Sequence, residues 1–229
     1  MRAALPVAAL AALVTASGCN DFATPAELAA TQILAVRADS PAIPTGERTR
    51  LSILVADSAG VVPDPVVTWQ TVSFAAGRPP IGAVEVDGGE PWYRAPDALP
   101  DGEPTIAVVQ ATVTASGREL IAVKGIGVGL PRIPNIAVTE LAAAGAPVAP
   151  GEAITAAPGA RIELDVRTEP PAGEDVTYAW YATTGTLELY RRTPVELEAP
   201  EVPGAGWVIA VVRDGTGGVD WRIAPVDVR

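Results

Sequence analysis

The chain has 229 residues, 48% of them hydrophobic, and a formal net charge of −11 with no histidine. Lys124 is its only lysine and its arginines are scattered, so nucleic acid, which demands clustered cations, is excluded as a partner. Without histidine, and with one cysteine, the chain cannot assemble Ser-His-Asp, Cys-His or His/Cys zinc chemistry.

Met1 and Arg2 precede an apolar run from Ala3 to Val14 that only Pro6 interrupts, and the first acid is Asp21. A charged leader, a short apolar core and small residues at a cut site are the layout of a secretory signal peptide. The run is shorter than the ~20 residues of a membrane-crossing helix. Ala16-Ser17-Gly18-Cys19 resembles the lipobox of bacterial lipoproteins, with Ala16 where that family usually has Leu. The resemblance implies cleavage before Cys19, a diacylglyceryl group on its thiol and acylation of the new amine. Ala16-Ser17-Gly18 also suits an ordinary signal-peptidase site, but that would leave an unpaired thiol in an oxidising compartment. Lipidation of Cys19 is therefore expected. At ~0.8 kcal/mol per buried CH₂ one acyl chain binds marginally, whereas two or three hold firmly. The expected location is the bacterial cell envelope, with the outer membrane preferred. Residues 1–18 read as signal peptide and 19–30 as lipidated cysteine and spacer, in which "PAELAA" looks weakly helical.

Beyond the spacer, glycine and proline are abundant (22 and 23), aromatics are sparse, and Val, Ile and Thr alternate in short runs. This is an all-β pattern with many turns. An internal repeat organises it. "RLSILVADSAGVVPDPVVTWQ" from Arg50 parallels "RIELDVRTEPPAGEDVTYAWY" from Arg161, and each Arg precedes its tryptophan, Trp69 or Trp180, by 19 residues. Further on, Ala95-Pro96-Asp97 and Ala199-Pro200-Glu201 each lead to a long strand, a Gly-containing hairpin and a closing strand. The long strands are expected over Ile106–Thr114 and Trp207–Arg213, and the last over Leu120–Val128 and Val219–Val228.

Trp69 and Trp180 stand where immunoglobulin-like domains place a core tryptophan on the third strand. The modules resemble the bacterial immunoglobulin-like and PKD-like domains of surface proteins, and "VVRDGTGGVDWR" is similar to their final hairpin. The inter-sheet cysteines of antibody domains and the W-x-F-G-D-G signature of PKD domains are absent, so the resemblance implies the sandwich class and not one family within it. The expected fold is all-β, with two tandem immunoglobulin-like β-sandwiches at 31–129 and 136–229, after the lipoprotein signal peptide. The segment 130–135, with Pro131 and Pro134, reads as a stiff linker holding the modules in series.

Candidate sites are few. Residues 82–97 read as a long insertion whose Trp92 and Tyr93, flanked by Asp87 and Glu90, are placed to stack on a sugar ring, dock a partner or cap the sandwich. Asp214, Asp220 and the glycines between them suggest a calcium loop, but the spacing is not that of an EF-hand and the glycines equally suit a tight hairpin. Arg191-Arg192 reads as solvated charge. No catalytic residue, metal ligand or cofactor is assigned. The chain is expected to be a non-enzymatic, monomeric, membrane-tethered protein acting as a spacer or adhesion surface toward a protein or glycan. The alternatives are a carbohydrate-binding or carboxylate-dependent glycan-active protein, and a docking subunit of a larger envelope complex.

Overall fold

The computed structural model describes residues 26–100, 102–115, 117–173 and 175–229, so Cys19 and the expected signal peptide lie outside the described residues. Every regular element described is a strand. The first module contains β1 (Gln32–Ala38), β2 (Ala42–Ile43), β3 (Arg48–Asp57), β4 (Gly60–Val61), β5 (Val67–Val72), β6 (Ala83–Asp87), β7 (Glu90–Arg94), β8 (Thr105–Ala115) and β9 (Arg118–Val128). The second contains β10 (Ala137–Ala143), β11 (Ala146–Pro147), β12 (Ile154–Ala156), β13 (Arg161–Glu169), β14 (Thr177–Ala182), β15 (Thr186–Glu188), β16 (Val195–Glu198), β17 (Gly204–Arg213) and β18 (Val219–Val228).

In the first module a sheet of order β1-β3-β7-β6 opposes one of order β2-β9-β8-β5. In the second, β10-β13-β16-β15 opposes β12-β18-β17-β14. These are the same strands in the same order, the two-sheet arrangement of an immunoglobulin-like sandwich. The copies agree in finer detail. Both first strands shift register, between Ile33 and Ala35 and between Val138 and Glu140. The Ala-Pro turns make matching bonds. Ala95 N–H donates to Glu47 O at 2.9 Å and Gly46 N–H to Pro96 O at 2.9 Å, as Ala199 N–H does to Ala160 O at 2.8 Å and Gly159 N–H to Pro200 O at 3.1 Å.

The strands form because alternate residues have somewhere apolar to go. Along β13, Ile162, Leu164 and Val166 enter the core of the second module while Arg161, Glu163 and Arg167 stay exposed. Trp180 is fully buried there. Its counterpart Trp69 is half-buried, and the first core is completed by the fully buried Tyr93.

Two expectations are corrected. The "PAELAA" stretch is not helical over its described part. Ala182 N–H on β14 donates to Ala26 O at 2.9 Å and Leu28 N–H donates to Ala182 O at 3.2 Å, so residues 26–28 run alongside the second module's sheet edge. Ala26 is buried in the second core and Leu28 between the modules, and that burial overrides a weak helical propensity. Residues 82–97 are not an insertion. Their β6–β7 hairpin completes the first module's sheet by pairing with β3.

Candidate functional site

The β6–β7 hairpin separates the four residues singled out there. Successive strand residues point to opposite faces, so Trp92 lies on the outer face and Tyr93 in the core. Burial pushes the Tyr93 phenol well above its ordinary range, and its hydroxyl donates to Ile81 O at 3.2 Å. On the outer face Arg48 donates to Asp87 at 2.8 Å and lies over the Trp92 ring at 4.4 Å. Arg50 donates to Glu90 at 3.0 Å and to Asp39 at 3.1 Å. The Glu90 hydrogen bond and the nearby Asp39 charge raise the Arg50 pKa. One face of Trp92 is thus covered by a guanidinium, and both acids are engaged by arginines. Such exposed pairs contribute ~0–1 kcal/mol each.

Asp214 and Asp220 are also engaged, on different strands' ends. Asp214 Oδ1 accepts from the Thr216 and Gly218 backbone amides at 2.9 and 2.6 Å, closing the β17–β18 turn. Asp220 accepts from Arg37 at 2.6 Å and from Val138 N–H at 2.7 Å. Among the described residues no group of three or more candidate ligands is placed to hold a metal ion. Arg191 lies against the Tyr190 ring at 5.6 Å.

The most extensive constellation was not singled out from the sequence. A third apolar cluster lies between the modules, where Leu34, Ala35, Leu54 and Ala56 of β1 and β3 pack on Ile209, Val211 and Val219 of β17 and β18. Trp221, Ile223 and Tyr181 extend it. The modules therefore pack face to face and not merely in line. This explains why "VIAVV" in β17 is apolar without a break: Val208, Ala210 and Val212 fill the second core, while Ile209 and Val211 face the first module. At roughly 1.5–3 kcal/mol for each large apolar side chain buried, the cluster outweighs any single ion pair at its rim.

Polar contacts frame this seam. Arg37 reaches Asp220 and lies over Trp221 at 4.8 Å. Arg213 donates to Leu34 O at 2.6 Å. In the linker, Arg132 donates to Glu47 at 2.6 Å and to Ser40 at 2.8 Å, while Asn135 exchanges bonds of 2.6 and 2.8 Å with the backbone of Val219. The linker is thus fastened to both modules. Gly60 fits against Trp207 only because it lacks a side chain. Its φ of 120° and a Cβ position 2.5 Å from the indole admit no other residue without strain.

At one end of the seam is a cleft of about 670 Å³, lined in part by Ile33, Pro41, Lys124, Asp214 and Gly217. Lys124 projects from β9 and donates its ammonium to Gly217 O in the β17–β18 turn. It is only 6% exposed. Burial pushes its pKa down to about 8, opposed by the Asp214 charge and reinforced by Arg213. A position-by-position comparison of the repeats carries a signal for the seam. With Glu47 matched to Ala160 by the turn bonds, Leu54 and Ala56 stand where the second copy has Arg167 and Glu169.

No family model matches the chain, and no curated protein matches it. Among solved structures it is similar to the fibronectin(III)-like modules of Clostridium thermocellum CbhA, at 14% identity over 85% of this chain and 94% of that one, with a TM-score of 0.31. It is also similar to a domain structure of intimin (16% identity, 85% and 100% covered, TM-score 0.31) and to a tandem pair of titin immunoglobulin domains (14%, 87% and 98%, 0.27). The strand order itself defines the class: two immunoglobulin-like β-sandwiches in tandem.

Proposed function

We propose that the chain is a non-enzymatic, lipid-anchored protein of the bacterial envelope whose two sandwiches form one interaction body held close to the membrane. The seam carries this reading. Two modules fastened face to face, with the linker bonded to each, do not behave as beads on a flexible string. Residues 26–28 are bonded to the second module, and the seven residue steps from Cys19 to Ala26 span at most ~25 Å. A lipid on Cys19 would therefore keep both modules near the bilayer. In support of a non-enzymatic role, Asp87, Glu90, Asp214 and Asp220 are each engaged by protein donors.

Metabolic labelling with a fatty acid and detergent phase partitioning test the anchor. The wild type takes up label and enters the detergent phase, and Cys19→Ala does neither. An unlabelled, aqueous wild type overturns the reading. A glycan array tests the alternative. A selective hit that Trp92→Ala abolishes would move the assignment to carbohydrate binding.

A further inference from the structure

We propose that the turn from Leu189 to Arg192 in the second module is a contact site for membrane phospholipids, with Leu189 entering the interface and Arg191 and Arg192 binding headgroup phosphates. The inference rests on reading Cys19 as the lipid anchor, and it names the surface that the anchor brings to the bilayer.

Placement points there first. On the edge of β14 away from β17, Trp180 N–H donates to Tyr190 O at 2.8 Å and Ala182 N–H donates to Ala26 O at 2.9 Å. The two donors lie two residues apart on one strand, or ~7 Å. The tether from Cys19 therefore joins the fold beside this turn. Glu27 pairs with Ala182 in parallel, so the step back from Leu28 to Ala26 runs toward Trp180 and Tyr190. At most ~25 Å of chain separates Ala26 from Cys19, which keeps the turn within reach of a bilayer holding that lipid. Phe74, another exposed apolar side chain, follows β5 at the end of the first module where the linker leaves, because Val72 pairs with Val108 and Ile106 with Gly127. The tether enters β1 at the opposite end, where Gln32 pairs with Ala56.

Chemistry points the same way. Leu189 is 61% exposed and holds φ at 53°, a conformation in which a leucine is strained. Its surroundings impose that conformation: Tyr190 packs against the second core, and Arg192 N–H closes on Leu189 O at 3.2 Å. Strain held in place this way clusters at functional positions. Arg191 and Arg192 are both exposed. Arg191 lies over the Tyr190 ring, and among the described residues neither guanidinium is paired with a carboxylate. Two neighbouring acids are already spent: Asp165 accepts from the Thr193 hydroxyl at 2.7 Å, and Glu188 lies in the field of Arg161. Solution ions screen the rest of this acidic chain beyond ~8 Å. A planar guanidinium fork matches a phosphate, and an apolar side chain beside it matches the acyl boundary beneath that phosphate. Each arginine near an anionic membrane surface contributes about fivefold in binding. That is weak for a free protein, but the tether makes the contact intramolecular.

A photo-crosslinking amino acid at Leu189, with Phe74 as the control position, tests this on the full chain reconstituted in vesicles of phosphatidylethanolamine and phosphatidylglycerol in equal parts. Mass spectrometry should find phospholipid adducts at Leu189 at about fivefold or more the level at Phe74. Arg191→Glu/Arg192→Glu should lower them about tenfold or more. The substituted side chains are all exposed, so unchanged thermal unfolding shows that the variants fold. The proposal is overturned by no adduct at Leu189, by equal adducts at both positions, or by adducts that survive the arginine substitutions. A protein crosslinked to Leu189 in native membranes in place of lipid overturns it as well. Where fatty-acid labelling shows Cys19 to be unlipidated, coupling its free thiol to a maleimide phospholipid restores the same tether, so a failed anchor and a failed contact read differently.

Discussion

The Lys124 ammonium, on β9 of the first module, donates to the Gly217 carbonyl in the hairpin turn of the second. A buried residue of one sandwich thus holds the turn of the other, at the side where β1 is the edge of its sheet.

This contact predicts a pH dependence. In the unfolded chain Lys124 titrates near 10.5, and in the folded protein burial lowers this to about 8. A lowered lysine pKa means that folding disfavours the charged form, so the penalty is full below pH 8 and is relieved between 8 and 10.5. Stability should rise over that window by up to about 3 kcal/mol, at ~1.36 kcal/mol per unit. In Lys124→Met the rise should vanish. Tyr93, whose pKa is raised, works in the opposite direction above pH 10 in both proteins. Chemical denaturation from pH 7 to 10 checks this, and parallel profiles for the two proteins would refute it.

The seam should be sensitive to a single added side chain. Gly60→Val places a β-branched residue at φ 120° and against Trp207, with an expected loss of ~1–3 kcal/mol. Trp207→Ala in the same chain should recover the steric part and leave the backbone part. Thermal unfolding of the four proteins of this cycle measures the coupling.

Arg37 and Asp220 are partly buried at the seam's rim, 2.6 Å apart, and Asp220 also holds the Val138 amide. Asp220→Ala releases two donors, whereas Arg37→Ala loses the bonds to Asp220 and to Ser52 Oγ (3.1 Å) and the contact with the Trp221 ring. A double-mutant cycle should therefore give a coupling of about 1–2 kcal/mol, the worth of the one shared bond. Urea denaturation of the four proteins checks this, and strictly additive losses would show that the Arg37–Asp220 bond contributes nothing.

The two tryptophans should differ. Trp180→Ala empties a fully buried site, for which ~3–5 kcal/mol is typical. Trp69→Ala removes a half-buried ring beside Tyr93 and should cost about half as much. Denaturation midpoints of the two variants decide this, and the opposite order would mean that Trp69 is the main pin of the first core.

Local pattern was enough to determine the strands and the repeat. The alternation of Ile162, Leu164 and Val166 with charged residues needs only a period of two. The shared spacing from Arg50 to Trp69 and from Arg161 to Trp180 reads directly off the chain. The burial of Tyr93 is not legible in "EPWYR", which does not say which of two adjacent aromatics faces in; pairing of β7 with β3 decides that. The extended course of residues 26–28 is not legible either, because Ala26 and Leu28 take their conformation from the edge of β14, more than 150 residues away. The seam was least legible. Leu54 and Ile209 each read as ordinary strand residues, and only the docking of one sheet on another makes the outer face of β17 an interior. A buried strand face and an exposed apolar one have the same sequence signature; what separates them is whether another surface covers them, and that is a property of the assembled chain.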